Sequence, residues 1–131
     1  MATEGVGIDL VDVARFAAAL ERHPRLAERL FTDAERRDAH GRPERLAARF
    51  AAKEAVLKTF GVGIWSTSWR SIEVALSDSG APSVVLHGTA SELALAAGVT
   101  ELHLSLTHTD ELAAAFVIGS SSRDEDEHRV R

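Results

Sequence analysis

Residues 49–61 read RFAAKEAVLKTFG, and the reading of this stretch decides the architecture. At about 100° per residue, Leu46, Phe50, Leu57 and Phe60 fall within an arc of about 80°, the stripe of a helix packed on a core. The helix begins at Pro43, at the end of the loop HGRP (40–43), and stops at Gly61, the usual placement of proline and glycine at helix ends. Three charges disturb the stripe. Lys53 lies inside the apolar arc, while Glu54 and Lys58 sit side by side at its edge, flanked by Ala47, Ala51 and Ala55.

Upstream, GVGIDLV (5–11) is a short apolar run opened by glycines and reads as a buried strand. Asp12 is placed to cap a helix reaching about Arg22, with Val13, Phe16, Ala17 and Leu20 on one face. HPRL (23–26) breaks that helix, and Thr32 with Glu35 has the spacing of a capping box for a short second one. Downstream of Gly61, SIEVALS (71–77) alternates, DSGAP (78–82) turns, and SVVLHG (83–88) returns as a hairpin partner. TASELALAAG (89–98) repeats the capping-box spacing at Thr89 and Glu92. ELHLSLTH (101–108) and ELAAAFVIG (111–119) supply two further strands. The expected fold class is α/β, of the α+β kind: a mostly antiparallel sheet packed with helices. One domain spans 1–119, and 120–131 forms a polar, flexible tail.

The chain has 131 residues, 45% hydrophobic and 27% charged, which suits one globular domain with a core of its own. It contains no apolar run of membrane-spanning length and no signal-peptide pattern at its start, so a membrane partner is not expected. The absence of cysteine excludes disulfides and thiolate metal sites and is compatible with the cytoplasm. A formal net charge of −5 argues against a nucleic-acid partner. Acidic residues concentrate in the tail, whereas 22–49 is rich in arginine, leaving room for a local basic surface.

The charged residues admit two readings each. A Glu–Lys pair at i,i+4 is a common surface device, but a lysine inside an apolar stripe must snorkel out or meet an anion. Asp9, within an apolar run, either caps the following helix or holds a divalent cation; with Glu54 it would supply two hard oxygen ligands suited to Mg²⁺ once substrate phosphates complete the shell. Nearby lysines would then neutralise phosphate charge. His108 at a strand end is either structural or, with neighbouring hydroxyls, a phosphate contact. No Walker A, GxSxG or HExxH motif is present.

GVGIDLVDVARF (5–16), RFAAKEAVLKTFG (49–61) and HLSLTHTDELAAAFVI (103–118), in this order and with SIEVALSDSGAPSVVLHG (71–88) between them, together resemble the holo-acyl-carrier-protein synthases, small 4′-phosphopantetheinyl transferases. The resemblance covers nearly the whole chain to Ile118. It implies the 4′-phosphopantetheinyl transferase fold and a cytoplasmic, Mg²⁺-dependent enzyme of lipid metabolism. Such an enzyme moves 4′-phosphopantetheine from coenzyme A to a serine of an acyl carrier protein and releases 3′,5′-ADP. On this reading Asp9 and Glu54 are the metal ligands, and Lys58 neutralises the departing phosphate. Glu54 or a metal-held water takes the serine proton. Arg49, Phe50, Lys53 and Gly61 line the coenzyme A site, with Pro82 against the adenine and His108 with Thr109 bonded to nucleotide or phosphate. Arg15 meets the acidic carrier protein, and Arg22, Arg25 and Arg29 extend that patch. The family also implies a homotrimer whose sites combine Asp9 and Glu54 of one chain with the His108 region or Arg49 of another. Ser71 departs from the pattern, which has aspartate before IEV, and the tail has no counterpart. A non-catalytic binding module and a different coenzyme A or nucleotide enzyme are the competing readings.

Overall fold

The computed structural model describes residues 1–122. Its elements are β1 (Ala2–Asp12), α1 (Val13–Arg22), α2 (Leu26–Leu30), α3 (Asp33–Ala39), α4 (Pro43–Phe60), β2 (Ile72–Leu76), β3 (Pro82–Leu86), α5 (Thr89–Ala96), β4 (Glu101–His108) and β5 (Leu112–Ser121), with one 3₁₀ turn at Trp69–Ser71 before β2. A three-stranded sheet in the order β1-β5-β4 and a separate hairpin β2-β3 account for the strands, and every pairing is antiparallel. The expected α+β class is the observed one.

Helix α4 is the centre of the molecule. Ala51, Ala52, Ala55, Val56 and Leu57 are buried against Ile72, Val74, Ala115 and Val117, while Leu46, Ala47 and Ala48 pack with Phe16, Phe31 and Ala113. The alanines matter because they let the sheet approach closely. A Cβ on Gly7 would stand 2.0 Å from the carbonyl oxygen of Ala55, and one on Gly5 2.2 Å from that of Thr59. Only glycine fits at either point. Gly61 ends α4 in the left-handed conformation, φ 72°.

Caps behave mostly as the local sequence dictates. The Asp12 carboxylate accepts from the Arg15 N–H at 2.9 Å, and Thr32 with Glu35 forms the reciprocal capping box. Four expectations are corrected. The run 5–11 is not buried on both faces: Gly5, Gly7, Asp9 and Val11 face α4, whereas Val6, Ile8 and Leu10 are 57%, 65% and 63% exposed. The glycines take the helix side because a side chain there would collide with α4. The Thr89–Glu92 box does not form, since Gly88 at φ 51° is the N-cap and the helix starts one residue early. HPRL ends α1, but its Leu26 already opens the short α2, so the capping-box helix is the third and not the second. Strand β5 runs through Ser120 and Ser121, both buried, so the folded unit extends past residue 119; the remainder of the expected tail, 123–131, lies outside the described residues. No helix is long and apolar enough to cross a membrane among the described residues.

Candidate active site

Strand β1 crosses α4 at the two glycines, and the crossing carries Asp9 onto the last turns of the helix. Lys58 Nζ donates to Asp9 Oδ1 and to the carbonyl oxygen of Ile8, both at 3.0 Å. Asp9 is nearly buried and Lys58 about half exposed. Lys58 therefore pairs across the strand rather than with Glu54, its i−4 neighbour. Burial pushes the Glu54 carboxyl above the ordinary glutamate range, the negative charge of Asp9 pushes it further, and Lys58 opposes both. Two carboxylates and one ammonium thus share a small, partly desolvated corner.

Glu54 opens onto a groove of about 670 Å³ between β1, α1 and α4, lined also by Leu10, Val11, Asp12, Arg15, Phe16, Arg22 and Phe50. Asp9 and Lys58 face a neighbouring hollow of about 420 Å³ with Ile8, Leu10 and Ala114. Phe50 is stacked on Phe16 with ring centroids 5.2 Å apart and lies against Trp69 at 5.0 Å, which makes an aromatic wall for the groove. At its far end Arg22, Arg25 and Arg29 gather with His23, Pro24 and Leu26 around a second cavity of about 570 Å³. Arg15 and Arg22, seven residues apart, share one face of α1 and line the same groove as Glu54.

Donor chemistry at the corner suits a hard divalent cation. A cation placed between the two carboxylates would relieve the repulsion that Asp9 exerts on Glu54. No cluster of three or more potential metal-ligating side chains exists among the described residues, so a cation on Asp9 and Glu54 would need oxygens from a substrate or water.

The other sequence-derived candidates are distributed unevenly. Lys53 does not line a cavity: its side chain is fully buried and its Nζ donates to Glu35 Oε1 at 2.8 Å, to the Trp69 carbonyl at 3.0 Å and to the Ile72 carbonyl. An ammonium has three N–H groups, and all are used inside the fold. The anion its position demands is an internal carboxylate rather than a ligand. Burial holds this lysine below its ordinary range against the opposing charge of Glu35. Arg49 is 5% exposed, gives Nη1 to the Arg45 carbonyl at 3.1 Å, and leaves Nε without a partner among the described residues; burial lowers its pKa.

Pro82 opens β3 on the hairpin, opposite Leu76, and Gly61 has open space around its Cα. His108 ends β4, opposite Ala113, which in turn faces Val11. Two inter-strand spacings, about 10 Å, therefore separate it from β1, and a single chain does not bring it to Asp9 and Glu54. The hydroxyl of Thr109 accepts from the N–H groups of Glu111 and Leu112 at 3.2 and 3.1 Å, closing the β4–β5 turn. Ser71, at the position of the departure noted above, shares a 2.6 Å hydrogen bond with Ser68. Sequence reasoning missed Phe16, Trp69 and Glu35. The capping-box spacing singled out Glu35, yet nothing local marked it as the partner of a lysine 18 residues away.

Residues 5–117 match the model of the 4′-phosphopantetheinyl transferase superfamily. The chain is 51% identical over 121 residues to the holo-[acyl-carrier-protein] synthase of Frankia alni, covering 92% of this chain and all of that one. Its fold is similar to the Helicobacter pylori holo-[acyl-carrier-protein] synthase in complex with coenzyme A (TM-score 0.80, 29% identity, 88% of this chain and 99% of that one). It is also similar to the Bacillus anthracis holo-(acyl-carrier-protein) synthase in complex with CoA (3′,5′-ADP) (TM-score 0.76, 34% identity, 93% and 100%). With its three motifs folded around one crossing of strand and helix, this chain belongs to the 4′-phosphopantetheinyl transferase superfamily.

Proposed function

We propose that this chain is a holo-acyl-carrier-protein synthase, a cytoplasmic enzyme that transfers 4′-phosphopantetheine from coenzyme A to a serine of an apo acyl carrier protein. The observation that carries the reading is the Asp9–Lys58–Glu54 corner opening beside an arginine-lined groove. The serine Oγ forms a bond to the pantetheine-side phosphorus of coenzyme A. The bond from that phosphorus to the bridging oxygen breaks, and 3′,5′-ADP leaves. Asp9 and Glu54 would hold Mg²⁺, which when bound supplies Lewis acidity and charge neutralisation at the pyrophosphate.

Lys58 is the solvent-facing cation of the site. Half exposed and held at its tip by Asp9, it is assigned to the negative charge that grows on the departing phosphate. Glu54, with its raised proton affinity, is a better acceptor for the serine proton than an ordinary carboxylate. Arg49, Phe50, Gly61, Pro82, His108 and Thr109 are assigned to coenzyme A. Arg15, Arg22, Arg25 and Arg29 are assigned to the acidic carrier protein, where rim charges accelerate encounter.

We assign a homotrimer to the same reading. Val6, Ile8, Leu10 and Phe116 leave the outer face of the sheet apolar and 43–65% exposed, and a second copy is a natural cover for such a face. His108, remote from Asp9 within one chain, would then serve a neighbour's site.

The test is intact mass spectrometry of an apo acyl carrier protein incubated with the chain, coenzyme A and Mg²⁺. One added phosphopantetheine is expected, lost on chelation and lost with Glu54→Gln in a folded variant. Undiminished transfer by Glu54→Gln would remove this residue from the mechanism.

A further inference from the structure

Away from the reacting corner, the buried pair Lys53–Glu35 is the most heavily bonded charged group in the described part of the molecule, and the transfer chemistry leaves it without a task. Glu35 Oε1 accepts from the Thr32 N–H at 3.0 Å as well as from Lys53, and Glu35 Oε2 accepts from the Val74 N–H at 3.0 Å. On the other side, Lys53 donates to two backbone carbonyls, those of Trp69 and Ile72. A single ion pair on α3 and α4 thus grips the chain at 69, 72 and 74, which is the 3₁₀ turn and the root of the β2-β3 hairpin. Phe31 closes the pair from one side, its ring 5.6 Å from the ammonium. The same grip sets Trp69, whose ring supports Phe50 in the groove wall.

We infer that Lys53 and Glu35 are positioning residues that dock the 69–74 segment onto α4, and so place the hairpin that receives the nucleotide end of coenzyme A. This rests on the assignment of Pro82 to the adenine given above. The pair touches neither the groove nor the Asp9 corner, and Lys53 has no N–H left for a phosphate. Its effect therefore falls on coenzyme A affinity and leaves the chemical step intact. The polarity of the pair is set by the backbone. Ammonium donors meet carbonyls and carboxylate oxygens meet N–H groups, so exchanging the two residues leaves four backbone groups facing partners of their own kind.

The test uses the full chain, with coenzyme A affinity measured by calorimetry and kcat and KM by transfer to apo carrier protein. Glu35→Gln, which keeps shape and one acceptor, is expected to weaken coenzyme A binding and raise KM about tenfold, with kcat within about threefold of the parent. The double replacement Lys53→Met with Glu35→Met removes both buried charges. It is expected to recover most of the stability that Lys53→Met alone loses while its coenzyme A affinity stays weak, because the backbone groups of the hairpin root remain unheld. In a Trp65→Phe background Trp69 is the only tryptophan, and its emission should shift to the red in Lys53→Met as the ring leaves Phe50.

Unchanged coenzyme A affinity in Glu35→Gln, or a loss confined to kcat, would overturn the inference. So would wild-type affinity in the folded double variant or in the exchanged pair. Should the parent bind coenzyme A without transferring phosphopantetheine, the proposed reaction fails, and the affinity and Trp69 readouts still decide the positioning role. A parent that does not bind coenzyme A overturns both.

Discussion

Gly7→Ala tests the crossing on which the site depends. The added Cβ would lie 2.0 Å from the Ala55 carbonyl oxygen and 2.7 Å from Thr59 Oγ1, and neither atom is free to give way. Ala55 O belongs to the backbone of a buried helix and already accepts from the Thr59 hydroxyl at 2.8 Å. Relief requires strand and helix to part by about 1 Å, in an interior packed at crystal density. Strand β1 is paired with β5 from Ala2 to Asp12, so a local bow would open the ladder. Overpacking of this kind costs about 3 kcal/mol, which for a domain of this size lowers Tm by about 10 °C.

The functional loss should be larger than the stability loss suggests. Lys58 reaches Asp9 and the Ile8 carbonyl at 3.0 Å, and a 1 Å separation takes both beyond hydrogen-bond range. Misplacement on that scale costs about two orders of magnitude in rate. The assay is urea unfolding at fixed protein concentration together with carrier-protein transfer at a temperature where the variant is folded. Gly63→Ala is the control, having no atom within 4 Å of the new Cβ and an expected change within about 0.5 kcal/mol. A Gly7→Ala protein with the parent's urea midpoint and transfer rate would refute the close-crossing argument.

Further predictions concern the site's charges and the outer face of the sheet. In the metal-free protein, the ¹³C shift of the Glu54 carboxyl should titrate above the ordinary glutamate range, lower in Asp9→Asn and higher still in Lys58→Met. The folded state then holds more protons than the unfolded one between the two pKa values. The Glu54 contribution to stability is therefore full below the unfolded pKa and disappears as pH rises through the folded one; an upward shift in Asp9→Asn would contradict the geometry. Phe116→Glu, on the exposed apolar face opposite Ile8, should convert the proposed trimer to monomers in sedimentation while keeping the circular dichroism of the parent. A wild-type chain that sediments as a monomer would overturn the proposed trimer.

Local signals carried most of the fold because each depends on neighbours in the chain. The Pro43 start and Gly61 stop of α4, the Thr32–Glu35 capping box, the Asp12 cap and the alternating strands are decided within a few residues, and all are present in the structure. The Thr89–Glu92 box failed where a neighbouring glycine at φ 51° offered an earlier start, a conformation that spacing does not reveal.

The site was legible as residues and not as an arrangement. Asp9, Glu54 and Lys58 stood out as charges in apolar company, and the motifs containing them pointed to a family. Tertiary structure decided which charge answers which. Lys53 and Lys58 lie five residues apart on one helix, yet one is sealed on Glu35 and the other meets Asp9 at the half-open edge of the sheet. Spacing along the helix placed both near the apolar stripe, but only the packing of α3 over one turn and of glycine-lined β1 over the next separated a buried ammonium from a half-exposed one. The same crossing turned the small residues of β1 inward and left Val6, Ile8 and Leu10 outward. In sequence the run reads as apolar throughout; which of its two faces a helix can approach depends on where Cβ atoms are missing, and that is settled only when the two elements meet.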